Sequence, residues 1–285
     1  MTTLSTSSSS SLVVYQGIII HAISMTELEI YDKGQLGVEK GVITFLQHVS
    51  SSSNTTPTTV FPPNTLIDLG EQIILPGFID GHAHAPQYAY LGIGMHLPLL
   101  EWLNKYTFAY ESEFHDLEYA NTIYRKAVQR SLCNGSTTVS YFATIHLEAS
   151  KLLVDIVQEY GQRGFIGKVN MDRNAPETLL EKTQESIKET RDFISYVLKK
   201  EDELLTPVIT PRFVPSTSSA LMSALGALSR EHTPFLPVQS HLSENDDEIK
   251  WVKSLHPSSD SYTAVYDEHG LLHEVRYCLR FLENQ

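Results

Sequence analysis

Ile73-Ile-Leu-Pro-Gly-Phe-Ile-Asp-Gly-His82-Ala-His84 is the stretch on which the reading of this 285-residue chain turns. Its first half, Ile73 to Asp80, is apolar and β-branched and reads as a buried strand. Two histidines, two residues apart, follow where that strand is expected to run out. Alternate residues of a strand face the same side, about 7 Å apart along the backbone, so both imidazoles can lean onto one ion. Zinc accepts neutral imidazole nitrogen at roughly 2.0–2.1 Å, which makes the spacing usable. Spacing alone decides little: with 12 histidines in the chain, about half a His-x-His arises by chance. The apolar strand, the Pro-Gly break and Asp80 set this pair apart.

Working outward, residues 1–11 are almost all Ser and Thr and are expected to be disordered, since they have little apolar surface to bury. A small β-module is expected over 12–75. It comprises a strand from Leu12 to Ile23, a second from about Gly41 to Val49, and a return at Leu66-Ile-Asp-Leu69, with a Ser/Thr/Pro-rich mobile loop over 50–64. Over 76–272 strand and helix signals alternate. Helices are expected at Pro98–Lys105, Asp116–Leu132, Leu147–Tyr160, Pro176–Lys200 and Ser218–Glu231. Strands are expected at Thr137–Phe142, Gly164–Met171, Leu205–Thr210 and Phe235–His241. Such alternation predicts an α/β fold of parallel βα units. With the His82 strand they number about five, against eight in a closed (β/α)8 barrel. Gly161-Gln-Arg-Gly164 lies between helix and strand, the wrong order for a phosphate-binding loop.

Composition narrows the function classes. Hydrophobic residues make up 41% and charged residues 19%, ordinary for a soluble globular protein. A net charge of −13 disfavours nucleic acid or an anionic membrane as partner. Cys133 and Cys278 are the only cysteines, so no disulfide framework exists, which suits a reducing compartment. No Lys or Arg precedes Lys33, and no apolar run approaches the roughly 20 residues of a membrane span. The expectation is a cytoplasmic protein.

Gln239-Ser-His241-Leu-Ser-Glu244 closes the fifth expected strand. His241 then sits at the carboxyl end of its strand, the end where barrel enzymes build their sites. Ser243 and Asp246 read as a capping box that places Glu244 in the first turn of the next helix, facing the same mouth. Three histidines, a carboxylate and an open water position make a hydrolytic zinc site. Against this, a helix-start acid such as Glu244 is favoured by the macrodipole without any catalysis. By residue type alone, Arg212 reads as a surface cation and Phe213 as core. His269 and His273 are spaced as zinc ligands on a helix, but their setting is polar and unpatterned.

Leu75-Pro-Gly-Phe-Ile-Asp-Gly-His-Ala-His84 resembles the first-strand metal motif of the amidohydrolase superfamily. Leu97-Pro-Leu-Leu-Glu-Trp-Leu-Asn-Lys-Tyr-Thr-Phe108, Tyr141-Phe-Ala-Thr-Ile-His146, the segment Gly161 to Asp172, and Thr210-Pro-Arg-Phe213 are similar to the guanine deaminase family. The similarity runs from about Val13 to about Leu272. It implies an amidohydrolase-type (β/α)8 barrel, incomplete here, and zinc-dependent hydrolysis of guanine to xanthine and ammonia in purine catabolism. On the matching positions it implies metal ligation by His82, His84 and His241. Catalysis falls to Glu244 with His241, and purine contacts to Gln87, Arg212 and Phe213. It also implies a homodimer, and it gives His146 no ligand role. The family pattern further requires a His after the sixth strand and an Asp after the eighth. The divergent tail, 273–285, offers no candidate for either role. A C-terminally truncated form, inactive by itself, is therefore expected. Two other readings stay open: another ring-amine or halide amidohydrolase, and a non-catalytic short form that binds a full-length partner. A cytidine-deaminase-like site would need a Pro-Cys-x-x-Cys arrangement that neither cysteine provides.

Overall fold

The structure, a computed structural model, describes residues 12–49 and 65–272. The expectations for 1–11, 50–64 and 273–285 lie outside the described residues. The chain divides into two compact units, Met1–Gly77 and Phe78–Gln285. No helix among the described residues is long and apolar enough to cross a membrane.

The first unit is one sheet of β1 (Val13–Ala22), β2 (Leu28–Glu39), β3 (Val42–His48) and β4 (Leu66–Ile74), in the order β3-β2-β1-β4. β1 and β2 pair antiparallel, and β4 returns parallel to β1. β2 escapes the sequence reading because Asp32, Lys33, Gly34 and Gly37 break its apolar alternation. One of these glycines has a packing reason: a Cβ on Gly37 would fall 2.1 Å from the Phe45 ring across the pair.

The expected single buried strand over Ile73–Asp80 is two strands. β4 ends at Ile74, and Leu75-Pro76-Gly77 interrupts the ladder, since proline has no N–H to give. β5 (Phe78–His84) opens the second unit and carries both histidines within it rather than beyond its end. Nor is its start buried: Phe78 is 61% and Ile79 60% exposed. Only one edge of β5 is paired, and no strand covers the other among the described residues.

After β5 come a 3-10 turn (Ala85–Tyr90), α1 (Leu99–Trp102), a wider helical turn (Leu103–Thr107), α2 (Phe108–Ser112) and α3 (Leu117–Cys133). Then follow β6 (Ser136–Phe142), α4 (Leu147–Glu159), β7 (Arg163–Gly167), β8 (Val169–Asn170) and α5 (Thr183–Leu198). The series closes with β9 (Leu205–Pro207), β10 (Thr210–Pro211), α6 (Ser219–Arg230), α7 (Asp246–Leu255) and α8 (Tyr262–Glu268). β5, β6, β7 and β9 form a parallel sheet in that order, and β8 pairs in parallel with β10. The expected helix from Pro176 begins at Thr183 instead, with only a 3-10 turn at Glu177–Leu179 before it.

The fifth expected strand, Phe235–His241, reduces to one bridge between Ile209 and Val238. Ile209 N donates to Pro237 O and Gln239 N to Ile209 O, each at 2.9 Å. Pro234 and Pro237 have no N–H, so the ladder cannot lengthen. The segment nevertheless runs parallel to its neighbour and brings His241 to the same end of the sheet.

Helices cover one face of the sheet. Tyr124 and Val128 of α3, Leu153 and Val157 of α4, and Phe193 and Val197 of α5 recur at i, i+4 and pack on Val139, Tyr141 and Ile166. α3 starts where Asp116 accepts from the backbone N–H of Glu118 at 2.8 Å and Tyr119 at 3.3 Å, an N-cap legible in the sequence. The opposite face carries a polar layer. Gln239 Nε2 donates to Thr210 Oγ1 and to Tyr141 O, both at 3.0 Å, and Ser140 Oγ donates to Gln239 Oε1 at 2.7 Å. Gly167 leaves room for it, since a Cβ there would lie 1.7 Å from Thr210 Oγ1. Side chains alternate along a strand, so the residues two further on, Phe142 and His241, form the next layer up.

Candidate functional site

The next layer is where the histidines meet. His82 and His84 come from β5 and His241 from the segment after the Val238 bridge. Their candidate donor nitrogens all lie within 4.8 Å of one another. The Nε2 atoms of His84 and His241 are 2.9 Å apart. Phe142 lies against all three rings, with centroid distances of 4.9 Å to His82, 4.5 Å to His84 and 4.8 Å to His241. It is fully buried and excludes water from one side of the cluster.

Burial holds the three imidazoles neutral. It lowers the pKa of His82 against the opposing pull of Asp80, and lowers that of His84 well below its ordinary value, with His241, Arg212 and His82 adding to the effect. His241 is pushed down to about 4, burial again outweighing its bond to the Arg212 backbone. That bond runs from His241 Nδ1–H to Arg212 O at 2.7 Å. It fixes the tautomer and leaves the Nε2 lone pair aimed at His84. Three neutral imidazoles with converging lone pairs fit a divalent transition metal. The triad can hold a metal. Among the described residues the cluster contains no carboxylate donor.

A cavity of about 470 Å³ opens beside the triad. Gln87, Arg212, Phe213 and Glu244 all line it, together with Trp102 and Leu103. The structure thus brings His82, His84, Gln87, Arg212, Phe213, His241 and Glu244 together around one cavity.

Arg212 is not a surface cation: it is 2% exposed, and its guanidinium meets the fully buried Glu111 of α2. Nη1 donates to Oε2 at 2.5 Å and Nη2 to Oε1 at 3.1 Å, a two-pronged ion pair. The guanidinium also lies 5.5 Å from the Phe108 ring centroid. Phe213 is nearly buried and meets Trp251 edge-on at 6.4 Å.

Glu244 lies elsewhere than the capping-box reading put it. The N-cap of α7 is Asn245, which accepts from Asp247 N at 2.9 Å, while Glu248 reaches back as the other half of the box. Ser243 sits at φ +55°, in the left-handed region, and Glu244 precedes the helix rather than filling its first turn. A Ser243 cap fails because the chain is still turning there; two residues later Asn245 has the extended backbone a cap needs. Glu248 Oε2 accepts from Glu244 N at 2.8 Å and Asn245 N at 3.2 Å, and Oε1 accepts from Tyr262 O–H at 2.6 Å. Although Glu244 is solvent-exposed at the mouth, the cavity wall desolvates it enough to raise its pKa. The Glu248 charge adds to that rise, and Arg212 opposes it.

Three residues escaped the sequence reading: Phe142, Glu111 and Glu248. Phe142 lay in a segment quoted for resemblance but carried no chemistry by type. Glu111 and Glu248 sit among other acids, and nothing local distinguishes a buried one. The only available signal was that Asn245 and Glu248 also satisfy the capping-box pattern. His146 is half-buried, its Nδ1 at 3.0 Å from Thr144 Oγ1, and burial pushes its pKa down to about 4.

The amidohydrolase family profile matches residues 73–281 of the chain. Guanine deaminase of Dictyostelium discoideum is 47% identical over 288 residues, a match covering 95% of this chain and 63% of the relative. Human guanine deaminase is 43% identical, covering 91% of this chain and 57% of its own length. Among solved structures, guanine deaminase from C. acetobutylicum with bound guanine superposes with a TM-score of 0.84 at 38% identity. The match covers 96% of this chain and 65% of that one. The chain thus spans about six tenths of the length of these relatives.

Proposed function

The chain belongs to the amidohydrolase family, and from that premise we propose that its cavity is the purine site of a zinc-dependent guanine deaminase. Guanine and water would give xanthine and ammonia. The observation that carries the reading is the convergence of His82, His84 and His241 on one wall of a cavity lined by Gln87, Arg212, Phe213 and Glu244. The likeness to guanine deaminases, one of them with guanine bound, supports the choice of ring.

His82, His84 and His241 would hold the zinc, each through a neutral imidazole nitrogen. Bound there, zinc supplies Lewis acidity and brings the pKa of a bound water to about 7. Phe142 keeps bulk water off the triad. Gln87 and Arg212 hydrogen-bond the polar edge of the base, and Phe213 stacks on its face, fixing the amine-bearing carbon toward the histidines. Glu244 holds the mobile proton. It gives it to the ring nitrogen beside that carbon as water adds, takes a proton from the added water and passes it to the departing amine, and recovers the remaining hydroxyl proton as the carbonyl of xanthine forms. A carboxyl with a raised pKa suits this traffic, because the protonated form then exists nearer neutral pH.

A second reading has its own support. Among the described residues the donor cluster contains no carboxylate and one edge of β5 is unpaired, which would suit a chain that binds zinc and purine without turning guanine over, or one that acts with a longer partner. Incubation of the purified chain with zinc and guanine, followed by chromatography for xanthine, separates the two. Xanthine formation that disappears in Glu244→Gln supports the enzyme. Guanine binding without xanthine supports the second reading, and no guanine binding defeats both.

A further inference from the structure

We infer that Glu111 is a positioning residue that sets the ligand class of the cavity: it fixes and neutralises Arg212, so the purine pocket takes uncharged bases and turns anionic ones away. The inference rests on the purine-site reading above and adds to it a residue that does not line the cavity.

Arg212 and Glu244 are the ionisable residues of the cavity wall besides the histidines, which are neutral. A lone guanidinium in a pocket wall is a site for a carboxylate or a phosphate. Here its charge is already matched from behind by Glu111, which is fully buried and bonded through both carboxylate oxygens. Two of the five guanidinium N–H groups are spent on that pair. The others remain as fixed donors of a net-neutral unit, which suits a carbonyl oxygen of an uncharged ring. An anion would gain little from a guanidinium whose charge Glu111 already matches. Direction matters as well as charge. The guanidinium lies over Phe108 and is gripped at two points, so its plane is set before ligand arrives. The main chain of the same residue holds His241 through its carbonyl oxygen, which ties the specificity end of the cavity to the triad.

The test uses the full 285-residue chain with metal removed by chelation, so that neither turnover nor zinc charge enters. Hypoxanthine serves as the neutral 6-oxopurine and urate as the trioxopurine monoanion, and binding is read by isothermal titration calorimetry. The wild-type chain is expected to bind hypoxanthine at least about tenfold tighter than urate. Glu111→Gln keeps size but loses charge. It should weaken hypoxanthine, strengthen urate, and shift their ratio by about tenfold or more. Glu111→Asp keeps the charge on a shorter arm, and should lose hypoxanthine affinity without gaining urate. A purely structural role would weaken both ligands together and leave the ratio within twofold of wild type, and that result overturns the inference. If Glu111→Gln does not melt cooperatively, Glu111→Asp decides: hypoxanthine affinity equal to wild type refutes the positioning role. A wild-type chain that binds neither purine defeats the parent reading, whereas an unchanged ratio in a chain that does bind defeats only the role of Glu111.

Discussion

Removing Glu248 is the sharpest test of how the Glu244 loop is held. The side chain is fully buried and accepts three hydrogen bonds, from Glu244 N, Asn245 N and Tyr262 O–H. Glu248→Ala strands the Tyr262 hydroxyl, which costs about 1–3 kcal/mol where the group stays buried. It also removes half of the α7 capping box, worth about 1 kcal/mol, and the charged acceptor for Glu244 N, worth about 1.5 kcal/mol. The sum is about 3.5–5.5 kcal/mol, which for a unit of this size is a fall in Tm of about 10–20 °C. Glu248→Gln keeps a carbonyl oxygen for the two backbone donors, and its amide can face a Tyr262 hydroxyl that turns to accept. It should cost only about 1 kcal/mol. Urea melts followed by far-UV circular dichroism give the comparison, with Asp246→Ala, an exposed first-turn acid, as reference at about 0.5 kcal/mol or less. If Glu248→Ala and Asp246→Ala melt within 1 kcal/mol of each other, Glu248 is a solvated helix-start acid and the clamp does not exist.

Acid should destabilise the fold through His146. Its folded pKa of about 4 lies below the ordinary 6.5, so the unfolded chain binds the extra proton first and stability falls as pH drops from 6.5 to 4. The loss is at most about 3 kcal/mol; His146→Gln should reduce the slope in that window, to which His84 and His241 also contribute, and an unchanged slope would rule the group out. Gly167→Ala puts a methyl 1.7 Å from Thr210 Oγ1, and overpacking of this kind costs about 1–3 kcal/mol, readable as a lower Tm. In a chain that forms xanthine, Glu244→Gln should slow turnover by about 10²–10⁴-fold with guanine affinity kept. Full activity in that variant would send the proton by another route.

What the sequence made legible was periodic or capped. α3, α4 and α6 repeat their apolar residues along one face, and Asp116 and Ser218 mark two helix starts by chemistry that acts within three residues. The parallel βα order followed from those elements alone, and His82 and His84 stood out because β5 is short and apolar before them. The misses have a common cause, which is dependence on distant chain. β2 is a strand because β1 and β3 flank it, despite its glycines and charges. Phe235–His241 is held alongside Ile209 by two backbone bonds, and its prolines prevent the ladder a strand reading assumes. Glu111 gains its place only from Arg212, 101 residues away. No local pattern can mark such a partner, because the pair exists only once α2 and the segment after β10 have met.

Three histidines from two segments are expected to hold one zinc ion. The direct measurement is zinc content after exhaustive dialysis, by inductively coupled plasma mass spectrometry, of the wild-type chain and the His82→Ala/His84→Ala variant. Circular dichroism on both would confirm that each is folded. About one zinc per wild-type chain is expected and essentially none in the variant, because one imidazole cannot replace three. Equal zinc in the two proteins would contradict that ligation, and would place the metal away from His241 and the cavity beside it.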